Sequence, residues 1–147
     1  MKIKRILCPT DFSEIAEKAV EYAVFLASSH NAELQLLHVV DHLHGFDNYL
    51  ILSMTPHEIA ERMEKHANEN LSDVTNQIKE TVKTEKAVRH GKASVQIIAM
   101  AREMKADLIV MGSHGRTGLS HVIIGSVAEA VIRHAYCPVL VVRDIDQ

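Results

Sequence analysis

The sequence predicts a doubly wound α/β domain, with a five-stranded parallel sheet between two layers of helices. Five short runs rich in branched aliphatic residues alternate with longer segments whose apolar residues recur at helical spacing. Parallel strands need crossover connections and burial on both faces, which the intervening helices supply. At 147 residues, we expect one domain spanning residues 1–147. The predicted strands are KRILCPT, ELQLLHVV, EKAVRHG, DLIVMG and CPVLVVR.

Four amphipathic helices are expected between the strands. The first spans about residues 13–29, and both Asp11 and Ser13 can accept hydrogen bonds from amides of its first turn. The segment DFSE also has the form of a capping box that starts at Asp11, which does not exclude a second role for that carboxylate. The other helices are expected at about 94–105 and 125–135. A long helix after Pro56 has apolar positions at Ile59, Met63, Ala67, Leu71, Val74, Ile78 and Val82.

Composition and charge exclude two classes of protein. The chain has 16 Lys and Arg against 19 Asp and Glu, a formal charge of −3, and no basic block. We therefore expect no nucleic-acid partner, because such binding relies on a concentration of cationic side chains. No run approaches the roughly 18 apolar residues of a membrane span, and the first apolar run is too short for a signal peptide. We expect a cytoplasmic protein with no membrane insertion.

Neither cysteine is expected to have a redox or metal role, and the histidines are scattered along the chain. Cys8 and Cys137 each lie in an apolar strand beside a proline, which favours buried, reduced thiols over a disulfide or a metal site. His42 and His44 form an H-x-H pair, but no third or fourth metal ligand follows at a typical spacing. His38 lies in the second predicted strand, where we expect a hydrogen-bonded core histidine rather than a ligand or a base.

One connection is longer than a simple turn requires. It runs from Asp41 to Thr55, between the second strand and the long helix, and contains several large apolar residues. Three interpretations remain open: a flap over a ligand, a surface for a partner, or an irregular loop packed on its own core.

The predicted topology places two polar loops together. Open parallel sheets bind ligands at the carboxyl ends of their strands, where the winding direction reverses. If the third strand lies at the edge beyond the second, the strand order is 3-2-1-4-5 and the reversal falls between strands one and four. The loops PTD and GSHG then face each other across a crevice.

The segment after the fourth strand concentrates the glycines of the chain, with four of six inside GSHGRTGLSHVIIG. Gly112 permits close approach of a ligand to the backbone, and Gly115 is expected to adopt the positive φ of a tight turn. Gly125 and Ser126 open the last helix, whose free amides and dipole favour an anion. Neither G-x-x-x-x-G-K-[ST] nor a strand followed by G-x-G-x-x-G is present. From the residues alone, a phosphate site and a structural turn both remain open.

The arrangement G-x2-G-x9-G-[ST], with Gly112, Gly115, Gly125 and Ser126, resembles the ATP-binding signature of the universal stress protein family (UspA-like). Further stretches resemble that family in order and spacing: ILCPTDFSE, LLHVVD, ADLIVMGSHGRTGL and GSVAEAVIRHAYCPVLVVR. The resemblance implies a Rossmann-like domain, similar to the adenine nucleotide alpha hydrolases, with strand order 3-2-1-4-5. It also implies ATP binding in the crevice and a homodimer.

The resemblance also implies a role for individual residues. Asp11 is expected on the ribose, and Val39 is expected to meet the adenine through its backbone. A divalent ion, Mg²⁺ or Mn²⁺, is expected to bridge the phosphates near Asp11, with no ligand set made of side chains. The nucleotide-binding residues implied are Pro9, Thr10, Asp11, Val39, Met111, Gly112, His114, Gly115, Arg116, Gly125, Ser126 and Val127.

The last predicted strand lies at a sheet edge. An exposed apolar edge is an aggregation hazard unless it is covered, which favours a two-fold antiparallel dimer through this strand. The residues expected at that interface are Val139, Leu140, Val141 and Val142.

Three functions are compatible with this reading. The first is a nucleotide-dependent regulatory protein of the stress response, a homodimer whose ATP-bound state is read by an unidentified protein partner. The second is a slow ATPase or phosphotransferase, although the usual phosphate-binding lysine is absent and Asp11, His114 and Arg116 form no recognisable catalytic arrangement. We therefore expect at most weak hydrolysis and name no catalytic residue. The third is a scaffold that binds AMP or cyclic AMP.

Overall fold

The structure, a computed structural model, describes residues 1–41, 54–115 and 123–144. Within these ranges the strands and helices alternate as the sequence predicts. In chain order they are β1 (Arg5–Pro9), α1 (Glu14–His30), β2 (Glu33–Val40), α2 (Pro56–Asn76), β3 (Thr84–His90), α3 (Ala93–Glu103), β4 (Leu108–Gly112), α4 (Ser126–His134) and β5 (Val139–Val142).

The five strands form one parallel sheet in the order β3-β2-β1-β4-β5, which confirms the predicted fold class and strand order. Strand β1 pairs with β2 up to Pro9 opposite Leu37, and with β4 through Ile6 opposite Leu108. The chain winds outwards in one direction from β1 and in the other from β4. The carboxyl ends of β1 and β4 are therefore neighbours at the point of reversal, where a ligand crevice is expected.

Two apolar clusters cover the two faces of the sheet. Alternate residues of β1 point to opposite faces, so Ile6 and Cys8 join one cluster while Leu7 joins the other. The first cluster contains residues of α1 and Leu71 of α2, whereas the second contains residues of α3 and α4 such as Val131. The domain therefore has three layers, α/β/α, with the sheet in the middle.

Helix α1 is capped at both ends. Ser13 is the N-cap, and its Oγ accepts a hydrogen bond of 3.3 Å from the Ala16 amide. Asn31 adopts a left-handed conformation at the C-cap (φ 52°). The cap is therefore Ser13 and not Asp11, whose Oδ1 accepts a hydrogen bond of 3.0 Å from the Ser13 amide just before the helix begins.

Helix α2 ends earlier than its apolar pattern predicts. It begins with a capping box in which Thr55 and Glu58 exchange hydrogen bonds of 3.2 and 3.3 Å, and it ends at Asn76. The prediction that Ile78 and Val82 continue the helix is wrong. The last turn tightens through bonds three residues apart, such as Ile78 N to Thr75 O at 3.0 Å. Ile78 and Val82 still pack against the core from the following turn.

Candidate functional site

The loops that follow β1 and β4 lie against each other at the carboxyl edge of the sheet. A Cβ atom placed on Gly115 would lie 2.5 Å from Oδ2 of Asp11, so the carboxylate of one loop contacts the backbone of the other. The structure therefore brings together PTD and GSHG, as the strand order predicts. This contact lies at the switch point between β1 and β4.

The loop after β1 is held by its own hydrogen bonds. Thr10 is buried; its amide donates to Leu37 O over 2.8 Å, and its Oγ1 accepts from the Phe12 amide over 3.1 Å. Asp11 uses Oδ1 to accept from the Ser13 amide, while Oδ2 lies on the Gly115 side. The orientation of the Asp11 carboxylate is therefore fixed by the turn in which it lies.

Phe12 has a left-handed backbone, with φ at +64°. This conformation is costly for a residue with a Cβ atom and is rarely adopted by large side chains. Phe12 packs against the apolar cluster that contains Ile6 and Cys8. The turn therefore combines a strained backbone with a side chain anchored in the core.

His38, at the carboxyl end of β2, is a hydrogen-bonded histidine as expected. Its Nδ1 lies 2.8 Å from Thr10 O, and because a carbonyl can only accept, Nδ1 carries the proton. The ring also contacts that of Phe12, with 4.7 Å between centroids and a tilt of 31°. His38 is half-buried and lies beside the candidate site.

The loop after β4 is tied to two other elements through Ser113. This buried residue donates its amide to Val142 O over 2.8 Å and accepts the Gly125 amide at its carbonyl over 2.7 Å. Its Oγ lies 3.0 Å from Nδ1 of His114. The end of β5 and the start of α4 are therefore joined to the same loop residue.

Three glycines of the signature are required by close contacts within the protein. A Cβ atom on Gly112 would lie 3.1 Å from Cγ2 of Ile15, and one on Gly125 would lie 3.1 Å from Cα of His114. At Gly115 the close neighbour is the Asp11 carboxylate. Packing alone therefore accounts for glycine at 112 and 125, whereas the Gly115 contact belongs to the crevice.

The expectation that Gly115 adopts a positive φ is wrong. Among the glycines in the described ranges, the positive φ is at Gly91 (126°), in the turn after β3. The left-handed residue of the site is Phe12, in the opposite loop. Glycine is needed at position 115 because a side chain there would collide with Asp11, and not because the backbone has a positive φ.

Helix α4 begins next to this loop. Its N-cap residue is Gly125, and among the described residues no side-chain cap bond is made there, as at Lys92 of α3 and in contrast to Ser13 at α1 and Thr55 at α2. Ser126 and Val127, the first residues of the helix, are exposed. An exposed, uncapped N-terminus leaves amides available to an anion, which the helix dipole also favours.

The remaining predicted site residues lie at the same edge of the sheet, except Arg116. Pro9 and Met111 are buried at the ends of β1 and β4, and Val39 is half-buried near the end of β2. Arg116 lies outside the described residues, as does most of the connection between Asp41 and Thr55.

Neither thiol is activated. Complete burial raises the pKa of the Cys8 thiol to about 12, and partial burial also raises the pKa of Cys137. Both cysteines are free, in agreement with the prediction that they form no disulfide. In the described ranges no group of three or more His, Cys, Asp or Glu side chains is placed to hold a metal ion, and His42 and His44 lie outside those ranges.

An open cavity of about 670 Å³ lies at the opposite edge, where the strands begin. It is far from the loops after β1 and β4, and the end of α1 borders it with a negative dipole that opposes anion binding. Its acidic residue, Glu33, is hydrogen-bonded to Lys83 over 2.5 Å, which lowers the pKa of that carboxyl. We therefore assign no site to it. The lining residues are Lys2, Lys4, Arg5, His30, Asn31 and Glu33.

These features define a doubly wound α/β protein with paired loops at its switch point. The model of the universal stress protein family matches residues 2–143. The chain belongs to the universal stress protein family. No helix in the parts of the chain that the structure describes is long and apolar enough to cross a membrane.

Two relatives from Methanocaldococcus jannaschii cover nearly the whole chain. Universal stress protein MJ0531 is 38% identical over 95% of this chain and 82% of its own length. Universal stress protein MJ0577 is 32% identical over 95% of this chain and 94% of its own length. The solved structure of MJ0577 superposes with a TM-score of 0.87 at 30% identity and covers 100% of both chains.

Two solved structures of the same fold contain nucleotides. One is a universal stress protein in complex with cAMP, with a TM-score of 0.64, 24% identity and coverage of 97% of this chain and 98% of that one. The other is the universal stress protein from Archaeoglobus fulgidus in complex with dAMP, with a TM-score of 0.68, 23% identity and coverage of 97% and 100%. At these identities the likeness establishes the fold.

Proposed function

We propose that this protein binds an adenine nucleotide, with ATP as its ligand, between the loops that follow β1 and β4. The observation that carries the proposal is the contact of the Asp11 carboxylate with Gly115 at the switch point. Under this proposal, Asp11 accepts from the ribose beside the second glycine of the signature, Gly115. The nucleotides in structures of the same fold support an adenine ligand.

The described residues fit the parts of such a ligand. Asp11 holds its carboxylate at the crevice, where it can accept a hydrogen bond from a ribose hydroxyl. The uncapped first turn of α4 offers amides to the phosphates, with Ser126 as a further donor. Val39 at the end of β2 is proposed to meet the base through its backbone. Gly115 leaves no side chain between the ribose acceptor and the phosphates.

A divalent ion, Mg²⁺ or Mn²⁺, is proposed to accompany the phosphates. In the described ranges the protein offers no three-ligand cluster of its own, so most of its ligands would come from phosphate and water. Asp11 is the carboxylate at the site. The chain lacks the phosphate-binding lysine of G-x-x-x-x-G-K-[ST] motifs, and the bound ion would neutralise phosphate charge in its place.

The nucleotide is proposed to regulate assembly with other proteins in the cytoplasm. The protein would act as a homodimer through β5, whose Leu140 is exposed at the sheet edge. Slow hydrolysis by the same site is the second candidate, without an assigned catalytic residue. Because two proteins of this fold hold cAMP and dAMP, a site for an adenine monophosphate is the specific alternative to ATP.

The ligand can be identified directly. The protein is purified without added nucleotide and denatured, and the released compounds are separated by chromatography and identified by mass spectrometry. We expect ATP close to one equivalent per chain. Recovery of AMP or cyclic AMP would support the monophosphate alternative, and recovery of ADP would indicate turnover. If no adenine nucleotide is recovered and titration calorimetry with ATP, AMP and cyclic AMP shows no binding, the proposed function is wrong.

A further inference from the structure

We propose that His38 is a positioning residue for the nucleotide site, holding the turn from Thr10 to Phe12 in the conformation that presents Asp11. The inference rests on the proposed function, and it assigns a role to a residue outside the glycine signature. His38 need not touch the nucleotide for this role, because its ring contacts the turn from the side of β2.

The first step of the argument is the pairing of Thr10 with β2. Regular pairing of β1 with β2 ends at Pro9 opposite Leu37. Beyond it, the Thr10 amide donates to Leu37 O over 2.8 Å, and the Thr10 carbonyl accepts from Nδ1 of His38 over 2.8 Å. The two backbone groups of Thr10 are thus bound by two successive residues of β2. The His38 side chain extends the support of β1 by one residue.

The second step is the strain at Phe12. A left-handed φ of +64° persists at a phenylalanine when the surroundings hold it there. The Phe12 ring packs on that of His38 and against the core, and its amide donates to Oγ1 of Thr10. His38 thus contacts the turn at both Thr10 and Phe12, the residues that flank Asp11.

The third step is the effect on Asp11. Its Oδ1 is bonded to the Ser13 amide and its Oδ2 lies at Gly115, so the carboxylate reaches the crevice only while the turn keeps this shape. Without the His38 bond, the strained turn can relax in the free protein. Nucleotide binding must then restore it, and the apparent dissociation constant rises in inverse proportion to the fraction that is still competent.

Two substitutions separate the bond from the ring. His38→Phe keeps an aromatic ring against Phe12 but removes the donor to Thr10 O. His38→Asn removes the ring but keeps an amide nitrogen the same number of bonds from Cβ as Nδ1, so it can restore the hydrogen bond. The matched control is His30→Phe, since Nδ1 of His30 lies 3.0 Å from Leu26 O at the far end of α1.

Calorimetry with ATP measures the affinity of each variant. We expect His38→Phe to weaken binding about tenfold, the effect of one lost hydrogen bond, with His38→Asn closer to the unsubstituted protein. His30→Phe should bind ATP as the unsubstituted protein does. Equal affinities for His38→Phe and the unsubstituted protein would overturn the proposal, and so would equal losses in His38→Phe and His38→Asn.

Hydrogen exchange without nucleotide tests the same role independently of the ligand. The Phe12 and Ser13 amides bond within the turn, so both should exchange several-fold faster in His38→Phe, with the amides of α3 unchanged. Unchanged exchange at Phe12 and Ser13 would overturn the positioning role. If the unsubstituted protein binds no adenine nucleotide while these amides do respond, the proposed function fails, and His38 is shown to hold the turn but not to serve that ligand.

Discussion

Asp11 and Gly115 constrain each other across the crevice. The carboxylate leaves no room for a side chain at position 115, and the glycine backbone lets the carboxylate stay at the edge of the sheet. The family resemblance implies a role for both residues, but the positive φ expected at Gly115 is not found there. The backbone strain lies at Phe12, because the turn after β1 bends sharply between two anchored residues, Thr10 and Ser13.

Replacement of Gly115 by valine should remove nucleotide from the purified protein. The new Cβ atom would lie 2.5 Å from Oδ2 of Asp11, so the carboxylate must move, and the branched side chain would occupy the space proposed for the phosphates. The fold should survive, because a carboxylate at a loop can swing aside. Released nucleotide is measured by absorbance and mass spectrometry after denaturation.

The matched control for this experiment is Ser28→Val, an exposed position near the end of α1. It adds a comparable volume far from the crevice and should leave the nucleotide content unchanged. Full nucleotide content in Gly115→Val would contradict the assignment of this glycine to the phosphate site.

At the scale of the elements, apolar periodicity locates the strands and helices because each must bury one face or both. Strand β2 has the predicted bounds, Glu33–Val40, and α1 differs by one residue at each end. Apolar periodicity does not mark the end of a helix when the residues beyond it still pack against the core. For this reason the apolar pattern extends α2 through Ile78 and Val82, although the helix ends at Asn76.

The sequence predicts the position of the candidate site but not all of its contacts. Strand order places the ends of β1 and β4 together, so the facing loops follow from topology. The sequence does not predict the roles of Phe12 and His38. His38 contacts Phe12 and Thr10, which lie 26 and 28 positions away in the chain, and a positive φ is not expected at a phenylalanine. For His38 the sequence predicts a satisfied side chain but cannot identify Thr10 as its partner.

The N-cap of α1 offers a prediction at this scale. Ser13→Ala removes the acceptor of the Ala16 amide and should lower the free energy of unfolding by about 1 kcal/mol. The bond from the Ser13 amide to Asp11 is unaffected, so nucleotide affinity should change little. Urea unfolding followed by circular dichroism measures the change. Ser28→Ala, at an exposed helical position, is the control, and an equal loss of stability in both variants would contradict the capping role.

At the scale of the whole molecule, the sheet has two edges, β3 and β5, and they differ in character. Strand β3 carries charged and polar residues, among them Lys86 and Arg89, and it packs beside α2. Strand β5 is wholly aliphatic and exposes Leu140. Charge protects the first edge from pairing, whereas the second lacks that protection, which supports the proposed dimer.

A lysine at position 140 should therefore weaken the dimer. Leu140→Lys places a charge on the exposed aliphatic strand, where pairing with a second copy would bury it. Analytical ultracentrifugation over a range of concentrations should show a dimer for the unsubstituted protein and a shift towards monomer for this variant. Phe25→Lys is the control, because Phe25 is also exposed but lies on α1. A monomeric unsubstituted protein, or a Leu140→Lys variant that dimerises equally well, would contradict the β5 interface.

Ser113 is hydrogen-bonded both to the strand of the proposed interface and to the helix of the proposed site. Its amide holds the carbonyl of Val142 at the end of β5, and its carbonyl holds the amide of Gly125 at the start of α4. Two hydrogen bonds of one buried residue thus connect β5, which would face a second subunit, to the start of α4, which would face the phosphates. A displacement of the start of α4 would therefore reach the end of β5 through the backbone of one residue, Ser113.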